Sequence, residues 1–156
     1  MNHDCLDPQT PDPCLERLLA HDDWRDRALV RGQLPAAGPR VAVVGTRQPT
    51  AEQRGRSAAI GARRARLGAV VCSGGARGVD AAALTGALAV GGRVLAVLPS
   101  HPDVPYPPEH ADLYARIVAS GGALLCLNQR IVRTSYFLRR NRLLAAVAHG
   151  LVAVAA

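Results

Sequence analysis

From Arg40 onward, short apolar runs alternate with longer mixed stretches, and glycines punctuate the changeovers. Val41–Gly45 is a run of the kind buried on both faces of a sheet. Thr50 offers a cap for a helix over 51–67, stopped by Gly68. Ala69–Cys72 predicts a second strand. Gly78–Val90 predicts a second helix, stopped by Gly91 and Gly92, and Arg93–Leu98 a third strand. After the loop PSHPDVPYPP, Glu109–Ala119 reads as a third helix and Ala123–Leu127 as a fourth strand. A helix over 139–148 and a strand over Leu151–Ala155 complete the series. This alternation specifies an α/β fold: a doubly wound, mostly parallel, Rossmann-like sheet of about five strands.

The first 39 residues read differently. Residues 1–14 are polar and proline-rich, as in disordered termini. Leu15, Leu18, Leu19, Trp24, Ala28 and Leu29 suit one short amphipathic helix over 14–31. Pro35, Gly38 and Pro39 then mark a linker. The expected organisation is therefore a polar segment over 1–39 followed by a Rossmann-like domain over 40–156. The last apolar strand has no further element to cover it. It is either a sheet edge or the last strand of a shortened version of a longer fold, and an exposed edge invites self-association.

Composition narrows the class. Hydrophobic residues make up 49% of the 156, which excludes a disordered chain. No apolar run is long enough to span a bilayer. The start MNHDCLDPQTPDPC lacks the basic and apolar parts of a secretory signal, so the cytoplasm is the expected location. Cys5, Cys14, Cys72 and Cys126 form no CxxC pair, and neither a zinc site nor a disulfide framework is expected. Cys72 and Cys126 fall in strands and read as small buried hydrophobes.

Charge is uneven: residues 1–39 carry net −3 and residues 40–156 net +10. A basic body of that size favours polyanions. All 19 basic residues are arginine, which a GC-rich genome would also produce, so charge alone does not decide the partner.

The candidate chemistry lies where strands end. Gly45-Thr46-Arg47 and Ser73-Gly74-Gly75-Ala76-Arg77-Gly78 are turns after parallel strands, where backbone N–H groups can face an anion. Gly78 suits a positive φ, and Asp80 reads as a structural cap on the following helix. The turn is neither GxGxxG nor a Walker A loop. Arg47 projects from a loop suited to gripping phosphate. Phe137, Arg139, Arg140, Asn141 and Arg142 open the last predicted helix, and an aromatic ring beside arginines suits stacked bases and passing phosphates. Arg54, Arg56, Arg63, Arg64 and Arg66 read as a solvated helix face. His101 and Asp103, with Tyr106 near them, are weak candidates for acid–base work. No catalytic residue, metal ligand or cofactor is assigned.

Taken in order, VAVVGTRQPT, SGGARGVDAAALTGAL, GRVLAVLP, VPYPPEHADLYARI, GGALL and FLRRNRLLAAVAHGLVAVAA resemble the DNA-processing protein A (DprA/Smf) family over residues 40–156. The chain departs from the family pattern at Leu84, Leu138 and Ala155, and the match reads as C-terminally shortened. The resemblance implies a Rossmann-like domain that binds single-stranded DNA, is not an enzyme, acts in natural transformation and DNA recombination, and helps load RecA. It implies single-stranded DNA, RecA and a second copy as partners, and no membrane. It makes Arg47, Arg139, Arg140 and Arg142 phosphate ligands, with Ser73, Gly74 and Gly78 as a backbone cradle. The residues by themselves leave open a nucleotide-binding enzyme or sensor of the wider lysine-decarboxylase-like superfamily, whose PGGxGT turn is absent here, or a degenerate remnant.

Overall fold

The computed structural model describes residues 12–36 and 38–155. The predicted disorder of residues 1–14 therefore lies mostly outside the described residues. Its last three positions do not fit it. Asp12 caps a helix, α1 (Pro13–Ala20), accepting from the N–H groups of Cys14 and Leu15. Pro13 fits at the first helical position because its missing N–H would have had no partner there.

The single helix expected over 14–31 is corrected. After α1 the chain turns twice around Trp24, and Ala28–Gly32 forms a strand, β1. The sheet thus begins ahead of residue 40. β1 is a two-sided edge strand with mostly exposed side chains, so it lacks the apolar run that marks a buried strand.

The regular part follows as β2 (Arg40–Gly45), α2 (Ala51–Arg66), β3 (Val70–Ser73), α3 (Val79–Ala89), β4 (Val94–Leu98), a short 3₁₀ turn (Pro108–His110), α4 (Ala111–Ala119), β5 (Ala123–Leu127), α5 (Thr134–Val147) and β6 (Gly150–Val154). The six strands lie in the order β1-β5-β4-β3-β2-β6. All neighbours pair in parallel except β1, which runs antiparallel to β5 with Ala28 opposite Leu127. The final strand is an edge, and its Leu151 is exposed.

Alternation along each strand sends side chains to two cores. Val43, Val71, Val94, Ala96, Leu98, Leu124 and Cys126 meet α3 and α4, with Ile60 of α2 packed beside them. Ala42, Val70, Cys72, Leu95, Val97, Leu125 and Leu127 meet Leu15 of α1 and Leu143, Leu144 and Val147 of α5. Burial pushes the Cys72 and Cys126 thiols up to about 12, which suits inert core residues. At Thr50, a full capping box with Gln53 fixes the start of α2. The exposed Arg54, Arg56, Arg63, Arg64 and Arg66 form its solvated face.

α5 starts five residues earlier than predicted. Its cap position is Arg133, which makes no side-chain cap bond, so the sequence carries no start signal there. Phe137–Arg142 consequently runs from the end of the first turn into the third rather than opening the helix.

Candidate nucleic-acid interface

The carboxyl ends of β2, β3 and β4 deliver three loops to one edge of the sheet, and α5 rises beside them. Gly45, Thr46, Arg47, Gly74, Ala76, Asp80, Arg140 and Asn141 line an open cleft of about 420 Å³ at this edge. In a doubly wound sheet this is where ligands sit.

The glycine-rich loop is held from both sides. Arg140 is 5% exposed, and its Nη1 donates to the carbonyls of Gly74 and Val97. Its Nε donates to Asn141 Oδ1 at 3.0 Å. From the other side, the Tyr114 hydroxyl donates to the Gly75 carbonyl at 2.9 Å, and His110 Nδ1 lies 3.0 Å from the same oxygen. Two glycines are required by this crowding. A Cβ on Gly74 would fall 2.2 Å from Arg140 Nη1 and 2.9 Å from Asp80 Oδ2. Gly78 has φ +82, as its position in the turn suggests, and a Cβ there would meet the Thr46 carbonyl at 2.5 Å.

Asp80 corrects one expectation. The cap position of α3 is Gly78, and no side chain caps it. Asp80 Oδ2 instead accepts from the N–H of Ala76, back in the loop, at 3.3 Å. Burial raises its carboxyl above the usual 3.8, against the opposing pull of Arg140 and of the Ala76 N–H. It is a tether for the loop rather than a cap for the helix.

Ser73 is fully buried, and its hydroxyl donates to the Val43 carbonyl at 2.6 Å. Its side chain ties β3 to β2 and is turned away from solvent. Arg77 stands at the surface in an ion pair with Glu109, which holds the Glu109 carboxyl below its usual range.

Phe137 belongs to neither core. It is half-buried, with Tyr106 edge-on at 5.5 Å between ring centroids. The guanidinium of exposed Arg47 lies 5.3 Å from its centroid, and that of Arg140 lies 6.0 Å away. One ring therefore gathers two cations at the mouth of the glycine loop.

The other two arginines of the block face elsewhere. On a helix, residues three or four apart share a side. Phe137, Arg140, Asn141 and Leu144 form the side toward the glycine loop, whereas Arg139 and Arg142 line a separate pocket with Trp24 and Arg27. That split was readable from the helical period. Tyr114, His110 and Arg40 carried no comparable signal, because their partners are distant in sequence. His101 and Asp103 also lie apart from the cleft. Asp103 is taken up by Arg31, with His101 and Arg130 each 3.5 Å away.

Known proteins carry the same blocks on the same fold. A DNA processing protein DprA of Mycobacterium tuberculosis is 43% identical over 132 residues, covering 83% of this chain and 34% of the relative. The chain thus spans about a third of that relative's length. The structure of DNA processing protein A from Helicobacter pylori, solved to describe that protein's single-stranded DNA binding mode, superposes with a TM-score of 0.66 at 30% identity. The match covers 74% of this chain and 53% of that one. The DprA structure from Streptococcus pneumoniae gives 0.65 at 29% identity, over 74% and 41% of the two chains. The family model for DNA recombination-mediator protein A matches residues 27–156, reaching back to the β1 region, and the chain belongs to that family.

Proposed function

We propose that this chain binds single-stranded DNA in the cleft at the carboxyl edge of its sheet. The observation that carries the reading is the cluster of Arg47, Phe137 and Arg140 over the loop of Gly74 and Gly75. Arg47 is exposed at the mouth of the cleft, and its guanidinium offers two parallel N–H groups to a phosphate. Phe137 is half-buried at the cleft mouth, an aromatic ring of the kind on which a base stacks. Arg140 is fixed by the carbonyls of Gly74 in the loop and Val97 in β4, so its charge is positioned before any ligand arrives. Gly45 and Gly78 let the chain pack closely behind the cleft: a Cβ on Gly45 would meet the Val154 carbonyl at 1.9 Å, and one on Gly78 the Thr46 carbonyl at 2.5 Å.

The titratable groups at the cleft hold loop atoms, Asp80 an N–H and His110 a carbonyl, which favours a binding protein over an enzyme. Family membership and the Helicobacter pylori protein's binding mode support the same ligand. The finer role follows the family resemblance: handling of incoming strands in the cytoplasm during transformation, delivery to RecA, and action as a homodimer. The cleft volume also suits a small ligand, which makes a mononucleotide the competing reading.

Titration of a labelled oligothymidylate at several salt concentrations tests the proposal. Arg47→Ala should weaken binding and lower the salt slope by roughly 0.7, the share of one phosphate contact. An unchanged slope in a folded variant removes Arg47 from the site. Competition by dTMP at equal nucleotide concentration would favour the mononucleotide.

A further inference from the structure

A second pocket, of about 210 Å³, lies on the other flank of α5. Its walls are Asp23, Trp24, Arg27, Leu127, Gln129, Arg139 and Arg142. It is built by tertiary structure rather than by one flexible loop. The turn at Trp24 is closed by bonds from the N–H groups of Arg27 and Ala28 to the Trp24 carbonyl, both 3.0 Å. Asn128 then donates to the Arg27 carbonyl at 2.7 Å, joining that turn to the end of β5. Trp24 packs its ring partly on the core beneath α5 and leaves the rest at the pocket.

The charge of the pocket is one-sided. Three guanidiniums meet one carboxylate, Asp23, which lies 3.9 Å from His21 Nδ1. Among the described residues no carboxylate pairs with Arg27, Arg139 or Arg142. Arg139 instead lies over the Tyr136 ring, 5.9 Å from its centroid. Cations left without partners beside an indole and a phenol ring are suited to a phosphate with a base attached.

Its position links it to the first cleft. Both open at the same edge of the sheet, one beside the ends of β3, β2 and β6 and the other at the end of β5 beside β1. β2 and β5 are three strand spacings apart, so the two sites are separated by about 14 Å along that edge. A few nucleotides of extended strand cover that distance.

We infer that the Trp24–Arg27–Arg139–Arg142 pocket is a second nucleotide seat for the strand held in the glycine-rich cleft, taking a base against Trp24 and its phosphate between the arginines. The inference rests on the single-strand reading of that cleft. Trp24 is the only tryptophan in the chain, so its fluorescence reports on this pocket alone.

The test uses the chain with oligothymidylates of roughly 4 and roughly 12 nucleotides, the span of known single-strand site sizes. Binding is followed by anisotropy of labelled DNA and, in parallel, by Trp24 emission. The longer oligomer should quench Trp24 at the concentrations where anisotropy rises. Arg139→Ala/Arg142→Ala should lower its salt slope by about 1.4 and its affinity roughly tenfold or more, leaving the short oligomer nearly unaffected. Arg47→Ala should weaken both oligomers.

Rising anisotropy with unchanged Trp24 emission, or equal losses for both oligomers in the double variant, overturns the second seat and leaves the first cleft standing. Quenching by dTMP as strong as by the oligomer overturns the continuation in favour of a free nucleotide. No anisotropy change with either oligomer overturns the single-strand reading, and the second seat with it.

Discussion

Two buried arginines in this fold face buried aspartates, and the two pairs differ in kind. Arg40 and Asp12 are in direct contact, with Arg40 also donating to the Val147 carbonyl and approaching His149. Asp12 is buried, which would raise its carboxyl. Arg40 and the Cys14 and Leu15 N–H groups outweigh that and hold it below 3.8. Arg140 and Asp80 attract one another without forming an ion pair, and burial leaves the Asp80 carboxyl raised. The first pair is closed on itself and joins α1, β2 and the end of α5. The second is open: both groups are spent on the glycine loop, and both border the cleft. A closed pair is structure, whereas an open pair keeps charge available where a ligand arrives.

Breaking the closed pair should have the largest effect. Arg40→Met strands Asp12 in the interior and should cost about 3–5 kcal/mol in urea unfolding. Replacing both charges, as Asp12→Leu/Arg40→Met, should recover much of that loss, because no uncompensated ion remains. A double variant no more stable than the single would show that packing, not charge, makes the pair matter.

Breaking the open pair should cost less stability and more binding. Arg140→Met leaves Asp80 free to take a proton, so unfolding should weaken by about 1–3 kcal/mol. The same change should remove roughly 0.7 from the salt slope of single-strand binding. A loss as large as that of Arg40→Met, with binding intact, would place Arg140 in the structural class.

Phe137 sharpens the contrast, since it covers the open pair without joining a core. Phe137→Ala should cost about 0.5–1.5 kcal/mol of stability, the worth of one aromatic pairing with Tyr106. It should cost about 1–3 kcal/mol of affinity with the salt slope unchanged. Unfolding of the variant would make Phe137 a packing residue.

The smallest effect is in pH dependence, and its sign separates the pairs. Asp12 is lowered when folded, so its contribution is present above 3.8 and is lost as pH falls below it. Asp80 is raised when folded, so its contribution is present below 3.8 and is lost as pH rises through the folded value. Urea unfolding of Asp12→Asn and Asp80→Asn across the acid range should therefore give difference curves of opposite slope. Parallel curves would erase the distinction.

The sequence carried the βα frame clearly, because each parallel strand is a short apolar run and glycines close each helix. It carried the cleft in outline for the same reason: turns after such strands share one edge. It missed β1, whose ALVRG is half exposed and pairs antiparallel, so no buried run announces it. It missed the start of α5 because Arg133 makes no cap bond. The burial of Arg40 and Arg140 was not legible either. Both depend on partners far along the chain, such as Asp12 and the carbonyls of Gly74 and Val97, which a local pattern cannot reveal.

The pairing of β6 with β2 has a consequence for the order of assembly. Arg40 and His149 meet across 109 positions, and the β2–β6 ladder starts beside them with Val41 opposite Gly150. During synthesis β2 therefore waits with one edge open until every described helix has been made. Closure entropy for so long a loop must be met before the ladder returns anything, so this seam should close late in folding. The exposed hydrogen-bonding edge of β2 is the surface that a nascent chain must keep from other strands until β6 arrives.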